Sequence, residues 1–191
     1  MKPVAEVCPK ILKRDIVNFI HVRKALPGDD LAVAELLTKT FISTYEKKLP
    51  TVATSDSRRL ELQNVALRRR NGHVAVAELG FRIIGTFALI HPDAEESESW
   101  LPAGATLRCV AIDPDFHGLD LSLLLLKEAE RVAKFWHSEC ICLHVQAEAD
   151  RVASLYERNG YRRDPRGDKE SHGNKICGYV KFLENSQRHV S

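Results

Sequence analysis

The stretch LRCVAIDPDFHGLDLS, Leu107–Ser122, decides how this chain is built. Its first half is apolar and compact, and together with Ala105 and Thr106 it predicts a strand ending at Ile112. Pro114 has no N–H to give to a ladder and stops that strand. A short turn containing Gly118 follows. Leu121 to Trp136 then carries apolar residues at helical spacing, with Lys127, Glu128, Glu130, Arg131 and Lys134 on the wet side. A strand that turns directly into a helix leaves the first helical amides without internal partners at the strand's end. That is where an anionic ligand is expected.

Working outward, upstream residues 20–25 predict a first strand, broken by Pro27-Gly28, after which Asp29 or Asp30 can cap a helix carrying Ala34, Leu37 and Phe41. A loop with Pro50 leads to a second helix, about 56–70, which Asn71-Gly72 ends because both residues tolerate positive φ. Residues 73–79 and 82–90 predict a hairpin around Gly80-Phe81, and 91–104 an acidic loop. Downstream, 139–145 predict a fifth strand and 149–159 a helix closed by Asn159-Gly160. A polar loop at 164–174 and a last strand at 175–183 complete the chain. The order β-α-α-β-β-β-α-β-α-β defines a mixed α/β class. Residues 1–19 read as an N-terminal extension and 20–191 as a single domain.

Composition narrows the partners. The 191 residues carry 28 basic and 26 acidic side chains, a formal net charge of +2 that gives no argument for nucleic acid or an anionic membrane. Arg58, Arg59 and Arg68–Arg70 make a basic helix, for which a solvated face is the ordinary explanation. No apolar run approaches the ~18 residues that span a bilayer, and Met1–Phe19 lacks a signal-peptide core, so the expectation is an untargeted cytoplasmic protein. The five cysteines, an odd number, suggest no disulfide framework. His137, Cys140, Cys142 and His144 invite a metal reading. Two thiols and a histidine packed on a half-buried strand is the preferred alternative, and no metal is expected.

Beyond these features, Leu107–Ser122 resembles the central motif of the GNAT superfamily of acyl-CoA-dependent N-acetyltransferases. There, an apolar strand ending in Asp-Pro leads through an Arg/Gln-x-x-Gly-x-Gly/Ala loop into a helix. Ala153–Tyr161, ASLYERNGY, resembles the family's Leu-Tyr-Glu-x-x-Gly-Phe/Tyr signature on the next helix. The element order matches from about Ile20 to Leu183. The resemblance implies a mixed, mostly antiparallel sheet splayed between strands four and five and flanked by helices. It implies acetyl-CoA as donor, held through backbone groups of Val110, Ala111 and Ile112 and by the loop His117, Gly118, Leu119, Asp120, Leu121 and Ser122. The loop departs from the pattern at His117, Asp120 and Ser122. Asp120 stands where glycine is usual. Facing the phosphates it would repel them by about 2 kcal/mol. Facing solvent it is an ordinary acid at a helix start, and its replacement by glycine would cost stability. Ala149 stands where an asparagine is common.

Acyl transfer to an amine needs a neutral nitrogen, a donor for the developing oxyanion and a proton for the departing thiolate. The resemblance implies direct attack with no covalent enzyme intermediate. It places Tyr156 near the thioester sulfur, where a phenol is a suitable proton donor and where Tyr156 also counts among the cofactor contacts. The base is not evident. Arg108 and Cys109 stand where relatives place an acid, leaving Glu78, the loop acids Glu95, Glu96 and Glu98, or a water chain. The expected function is N-acetylation of a primary amine on a small molecule or protein, with a homodimer left open. The alternative is a catalytically degenerate module of the same fold that binds CoA weakly or serves as a binding or regulatory protein.

Overall fold

The computed structural model of the chain describes residues 16–43, 56–171 and 174–184. Most of the expected extension (1–15), the Pro50 loop and residues 172–173 of the polar loop lie outside the described residues.

The chain runs β1 (Ile20–Lys24), α1 (Asp30–Thr38), α2 (Asp56–Gln63), α3 (Val65–Asn71), β2 (Gly72–Leu79), β3 (Arg82–Ile90), β4 (Gly104–Ile112), α4 (Leu121–Phe135), β5 (Cys140–Gln146), α5 (Asp150–Arg158), β6 (Arg162–Arg163), β7 (Lys169–Ser171) and β8 (Asn174–Phe182). The strands form one sheet in the order β1-β2-β3-β4-β5-β8-β6, with β7 also on β8. Among the described residues β4 and β5 are the one parallel pair; the other pairs are antiparallel. This is the mixed α/β fold expected from the sequence.

Local differences have physical causes. The helix expected over 56–70 is two helices, because Asn64 interrupts it and caps the second, its Oδ1 accepting from the Leu67 amide at 3.3 Å. Arg68 then turns inward and donates to the Glu61 and Leu62 carbonyls at the end of α2, while Arg69 pairs with Asp30 at 2.7 Å. Two residues of the basic run are therefore spent on structure. Asp29 does not cap α1 through its side chain; its carboxylate accepts from the Leu26 amide and from Arg23. Gly72 is extended, at φ −174°, and its need is space: a Cβ there would lie 2.0 Å from the Leu89 carbonyl oxygen. The loop expected at 164–174 contains β7, and β6 lies just before it; at three and two residues, both are too short and too charged to show a strand pattern.

Helix α4 lies across one face of the sheet. Its Leu121, Leu125, Leu126, Ala129 and Val132 pack on Phe87, Leu89, Leu107, Ile141 and Leu143, with Tyr156 and Tyr161 in the same cluster. Each fully buried leucine contributes about 1.5–3 kcal/mol by leaving water. The opposite face carries α1, α2 and α3 over Val74, Val76, Ala88 and Ala111. Val17 reaches the α4-side cluster, so the described end of the N-terminal extension is attached to the core. Among the described residues no helix is long and apolar enough to cross a membrane.

Candidate active site

The ladder between β4 and β5 covers only Gly104–Leu107 against Cys140–Leu143. Beyond it the strands diverge, leaving Arg108–Ile112 with a partner on the β3 side alone. Part of the cause is a bulge: Ala88 faces Arg108 and Thr86 faces Ala111, so Phe87 stands opposite both Cys109 and Val110. Cys109 takes φ 54°, a left-handed backbone that a non-glycine residue adopts only under constraint. The Asp113 amide donates to the Ile84 carbonyl on β3 at 2.8 Å. Strand alternation then turns the amides of Val110 and Ile112 the other way, into the gap. The Val110 and Ile112 side chains pack toward the α4-side core, and Ala111 is buried on the opposite face.

At the gap's mouth, β4 passes into α4 through a turn pinned by Asp113. Burial would raise this carboxylate's pKa, but hydrogen bonds from Lys39 (2.8 Å), the Asp115 amide and Arg82 (2.6 Å) outweigh burial and hold it below the usual range. Leu119 and Leu121 anchor the next segment in the core. Between and before them, Gly118 at φ 84° and Asp120 at φ 53° turn the backbone left-handed. The amides of residues 118–122 donate to no backbone carbonyl among the described residues, so they form a concave set of donors at the N-terminus of a 15-residue helix. Asp120 is exposed and its side chain makes no cap bond. Its left-handed backbone explains why glycine suits the position and overturns the expectation that glycine would cost stability there. His117 is exposed, with Nε2 lying 3.3 Å from the Ile112 carbonyl.

Tyr156, on α5, is 7% exposed and meets Tyr161 edge-on, ring centroids 5.5 Å apart. It belongs to the apolar cluster shared with Leu107, Leu143 and Val145, the residues flanking the start of the gap. Ala149 precedes α5 and offers no side-chain cap. Glu78 is elsewhere: β3 separates its strand from β4, and its carboxylate is bound by Arg23.

The opposite face of the gap is charged. Thr106, Arg108 and Cys109 of β4 and Cys142 and His144 of β5 project on this side. Glu98, from the acidic loop, spans it: its carboxylate lies 3.4 Å from Arg108, 2.8 Å from Lys169 of β7 and 3.5 Å from His144 Nδ1. Arg108 also pairs with Glu61 of α2, which Arg58 binds at 2.6 Å. Burial works against ionisation of Glu98, yet Arg108 and Lys169 hold its pKa down. Trp100 donates its indole N–H to Asp164 at 2.9 Å and tilts against the His144 ring at 5.2 Å. Glu98, Ser99, Trp100 and His144, together with Arg166–Lys169, line an open cavity of about 350 Å3. Sequence reasoning named several of these residues but not their association: Glu98 was one acid among three in a loop, Arg108 and Cys109 stood where an acid was expected, and Cys142 and His144 belonged to a suspected metal cluster. Strand alternation alone would have placed His144 beside Cys142 on one face; nothing local reveals that Glu98 folds back over it. Among the described residues no three His, Cys, Asp or Glu side chains converge as metal ligands. His144 instead hydrogen-bonds the Gly167 carbonyl at 3.0 Å, and the Ser99 hydroxyl lies 3.4 Å from the Cys142 sulfur.

This architecture, a sheet wedged open beside a helix N-terminus, is shared with known proteins. Residues 70–163 match the acetyltransferase (GNAT) domain. An acetyltransferase of the GNAT family from Staphylococcus aureus Mu50 superposes with a TM-score of 0.68 at 17% identity, covering 86% of this chain and 99% of that one. The ribosomal-protein-S18-alanine N-acetyltransferase from Escherichia coli gives 0.66 at 12%, covering 90% and 99%. PaiA N-acetyltransferase from Thermoplasma acidophilum, solved in complex with coenzyme A, gives 0.64 at 18%, covering 86% and 99%. No curated protein is significantly similar in sequence. Residues 70–163 therefore match the GNAT acetyltransferase domain, and the chain as a whole has the fold of that superfamily.

Proposed function

We propose that this protein transfers an acetyl group from acetyl-CoA to a primary amine by direct attack. The observation that carries the reading is the gap between β4 and β5: the amides of Val110 and Ile112 face into it, and the donors of residues 118–122 stand at its mouth. Backbone donors along one edge suit the amides of a pantetheine arm, and helix-terminal amides suit its pyrophosphate. In this reading Val110, Ala111, Ile112 and His117–Ser122 line the path of the donor. The T. acidophilum relative, solved with coenzyme A, supports a CoA-type donor.

In this reading the acceptor's lone pair attacks the thioester carbonyl carbon, and a carbonyl oxygen gaining charge takes hydrogen bonds from β4 amides. The C–S bond then breaks and the thiolate takes a proton from the Tyr156 hydroxyl, which is recovered from solvent. Glu78 is already bound by Arg23 and has no part in it. A weakly binding, non-catalytic module is the competing reading, favoured by His117 on the Ile112 carbonyl and by the negative charge of Asp120. Calorimetry with acetyl-CoA, followed by free-thiol detection with an amine panel, separates the two. Micromolar binding with amine-dependent thiol release supports transfer. Failure to bind at millimolar acetyl-CoA overturns it.

A further inference from the structure

Transfer to an amine also requires a group that takes a proton from the acceptor nitrogen, and the face that carries Tyr156 at the gap is an apolar cluster. The charged face supplies one. We propose that His144 is the general base of the reaction, and that the amine approaches it through the cavity walled by Trp100, Glu98 and Lys169. This rests on the acetyltransferase reading above.

Position is the first argument. The last residues paired across the parallel ladder are Leu107 and Leu143, so His144 is the first β5 residue beyond the seam, level with Arg108. Its imidazole therefore stands at the apex of the wedge, beside the bulge at Cys109, on the face opposite Tyr156. Base and acid would then lie on either side of the thioester, as a reaction that moves one proton in and another out requires.

The tautomer points the same way. The Gly167 carbonyl can only accept a hydrogen bond, so His144 Nε2, 3.0 Å away, carries the hydrogen. That leaves Nδ1 as the lone pair, and Nδ1 is the nitrogen beside Glu98. The turn supplying the carbonyl cannot shift easily. A Cβ on Gly167 would lie 2.6 Å from the Trp100 ring, and one on Gly178 would lie 2.7 Å from the Gly167 Cα. The imidazole is thus held with its basic edge toward the cavity.

Charge is the third. Glu98, Lys169 and Arg108 are the ionic groups that face the imidazole, from the loop, β7 and β4. Arg166 and Asp168 line the same cavity but are engaged by Asp164 and Arg163. Burial and the Lys169 charge lower the His144 pKa against the opposing pull of Glu98, so the ring is neutral and able to accept a proton at pH 7. Glu98, held ionised by its cations, is a poor base and a good anchor. It receives the acceptor's ammonium and then steadies the imidazolium.

The balance is complete. The ammonium gives one proton to Nδ1 and becomes the neutral amine. A C–N bond forms at the acetyl carbon, and the C–S bond breaks. The second nitrogen proton lost in amide formation leaves to solvent while Tyr156 protonates the thiolate, and His144 returns its proton to water.

The test uses the full chain, acetyl-CoA, and three probes: phenethylamine, spermidine and a short peptide with a free N-terminus. Thiol release is followed from pH 5.5 to 9. His144→Gln should lower kcat about 100- to 1,000-fold, and leave the CoA Kd within about twofold because the cofactor edge is untouched. Its residual rate should climb with pH where the wild-type rate is flat. Glu98→Gln should raise KM for the amine and move the wild-type acid limb to lower pH, since the charge that favours imidazolium is gone. A merely structural role would not move that limb. In the wild type, the His144 imidazole resonance should titrate with the kinetic limb, which keeps the assignment testable if a variant does not fold. Wild-type turnover with an unchanged rate and pH profile in His144→Gln, or a His144 titration more than about one pH unit from the limb, overturns His144 alone. A wild type that binds no acetyl-CoA, or releases no thiol with any probe, overturns the acetyltransferase reading and this assignment with it.

Discussion

The two faces of the sheet at the gap are built on opposite principles. The face under α4 is apolar and continuous: Leu107, Leu143 and Val145 meet Tyr156 and Tyr161 in one packed core. The other face is held by ions, in a chain from Arg58 through Glu61, Arg108 and Glu98 to Lys169 and His144. Apolar packing tolerates change of identity if volume is kept. A half-buried ionic chain does not, because removing one member leaves its partner desolvated and unpaired. The apolar face therefore fixes shape, and the charged face carries discrimination and proton chemistry.

Tyr156 is where the apolar face reaches the chemistry. Tyr156→Phe keeps the ring and its packing against Tyr161 and removes one hydroxyl. Turnover should fall by 10- to 10,000-fold, about 1.4 to 5.4 kcal/mol of transition-state stabilisation, while CoA affinity and Tm barely move. Unchanged turnover in steady-state assays would leave the apolar face a purely structural one. Gly178→Ala probes the other wall. Its Cβ would meet Gly167 Cα at 2.7 Å and the Asp164 carbonyl oxygen at 2.8 Å, both backbone atoms. Denaturant unfolding should show a loss of about 1–3 kcal/mol, with acceptor KM raised more than CoA Kd.

Asp120→Gly tests the mouth that joins the two faces. Relief of the left-handed backbone should stabilise the protein by about 1 kcal/mol, and CoA affinity should rise less than about threefold, the gain shrinking with salt. A stability loss in thermal melts would contradict the left-handed placement. The smallest effect is a pH slope. His73 stacks on Phe87 over the α4-side core, and burial, with smaller pushes from Lys24 and Arg131 against Glu128, lowers its pKa from 6.5. Folded and unfolded chains are both neutral there above pH 6.5. Below it the unfolded state binds the proton first, so stability falls as pH drops from about 6.5. His73→Phe should flatten part of that slope in melts between pH 7 and 5; His144, whose pKa is lowered in the same direction, adds to the same slope.

Most of the frame was legible in the sequence because it is written locally. The long apolar period of Leu121–Trp136 and the stop at Pro114 each depend on neighbours in the chain. The Glu98 chain was not legible because it joins five separate segments, and a solvated acid and a bridging one look alike in a loop. The bulge at Cys109 was hidden for a different reason: nothing in Arg108-Cys109-Val110 marks an extra residue, and only the count against β3 reveals it. Asp120 was misread from propensity, which describes helix interiors and says little about a residue in the left-handed region just before one.

The short join between β4 and β5 has a further consequence for how the protein comes apart. Gly104–Leu107 against Cys140–Leu143 is a narrow seam between two larger plates, β1–β4 and β5–β8, with α4 laid across it. In such an arrangement the plates can breathe separately, and amides just past the seam, Arg108–Ile112 and His144–Gln146, should exchange with deuterium before those within either plate. A ligand lodged between the diverging strands supplies the rungs that the ladder lacks. Its binding energy then appears as mechanical closure: at a concentration 100 times its Kd it adds about 2.7 kcal/mol against unfolding, and exchange at both lips of the seam slows together.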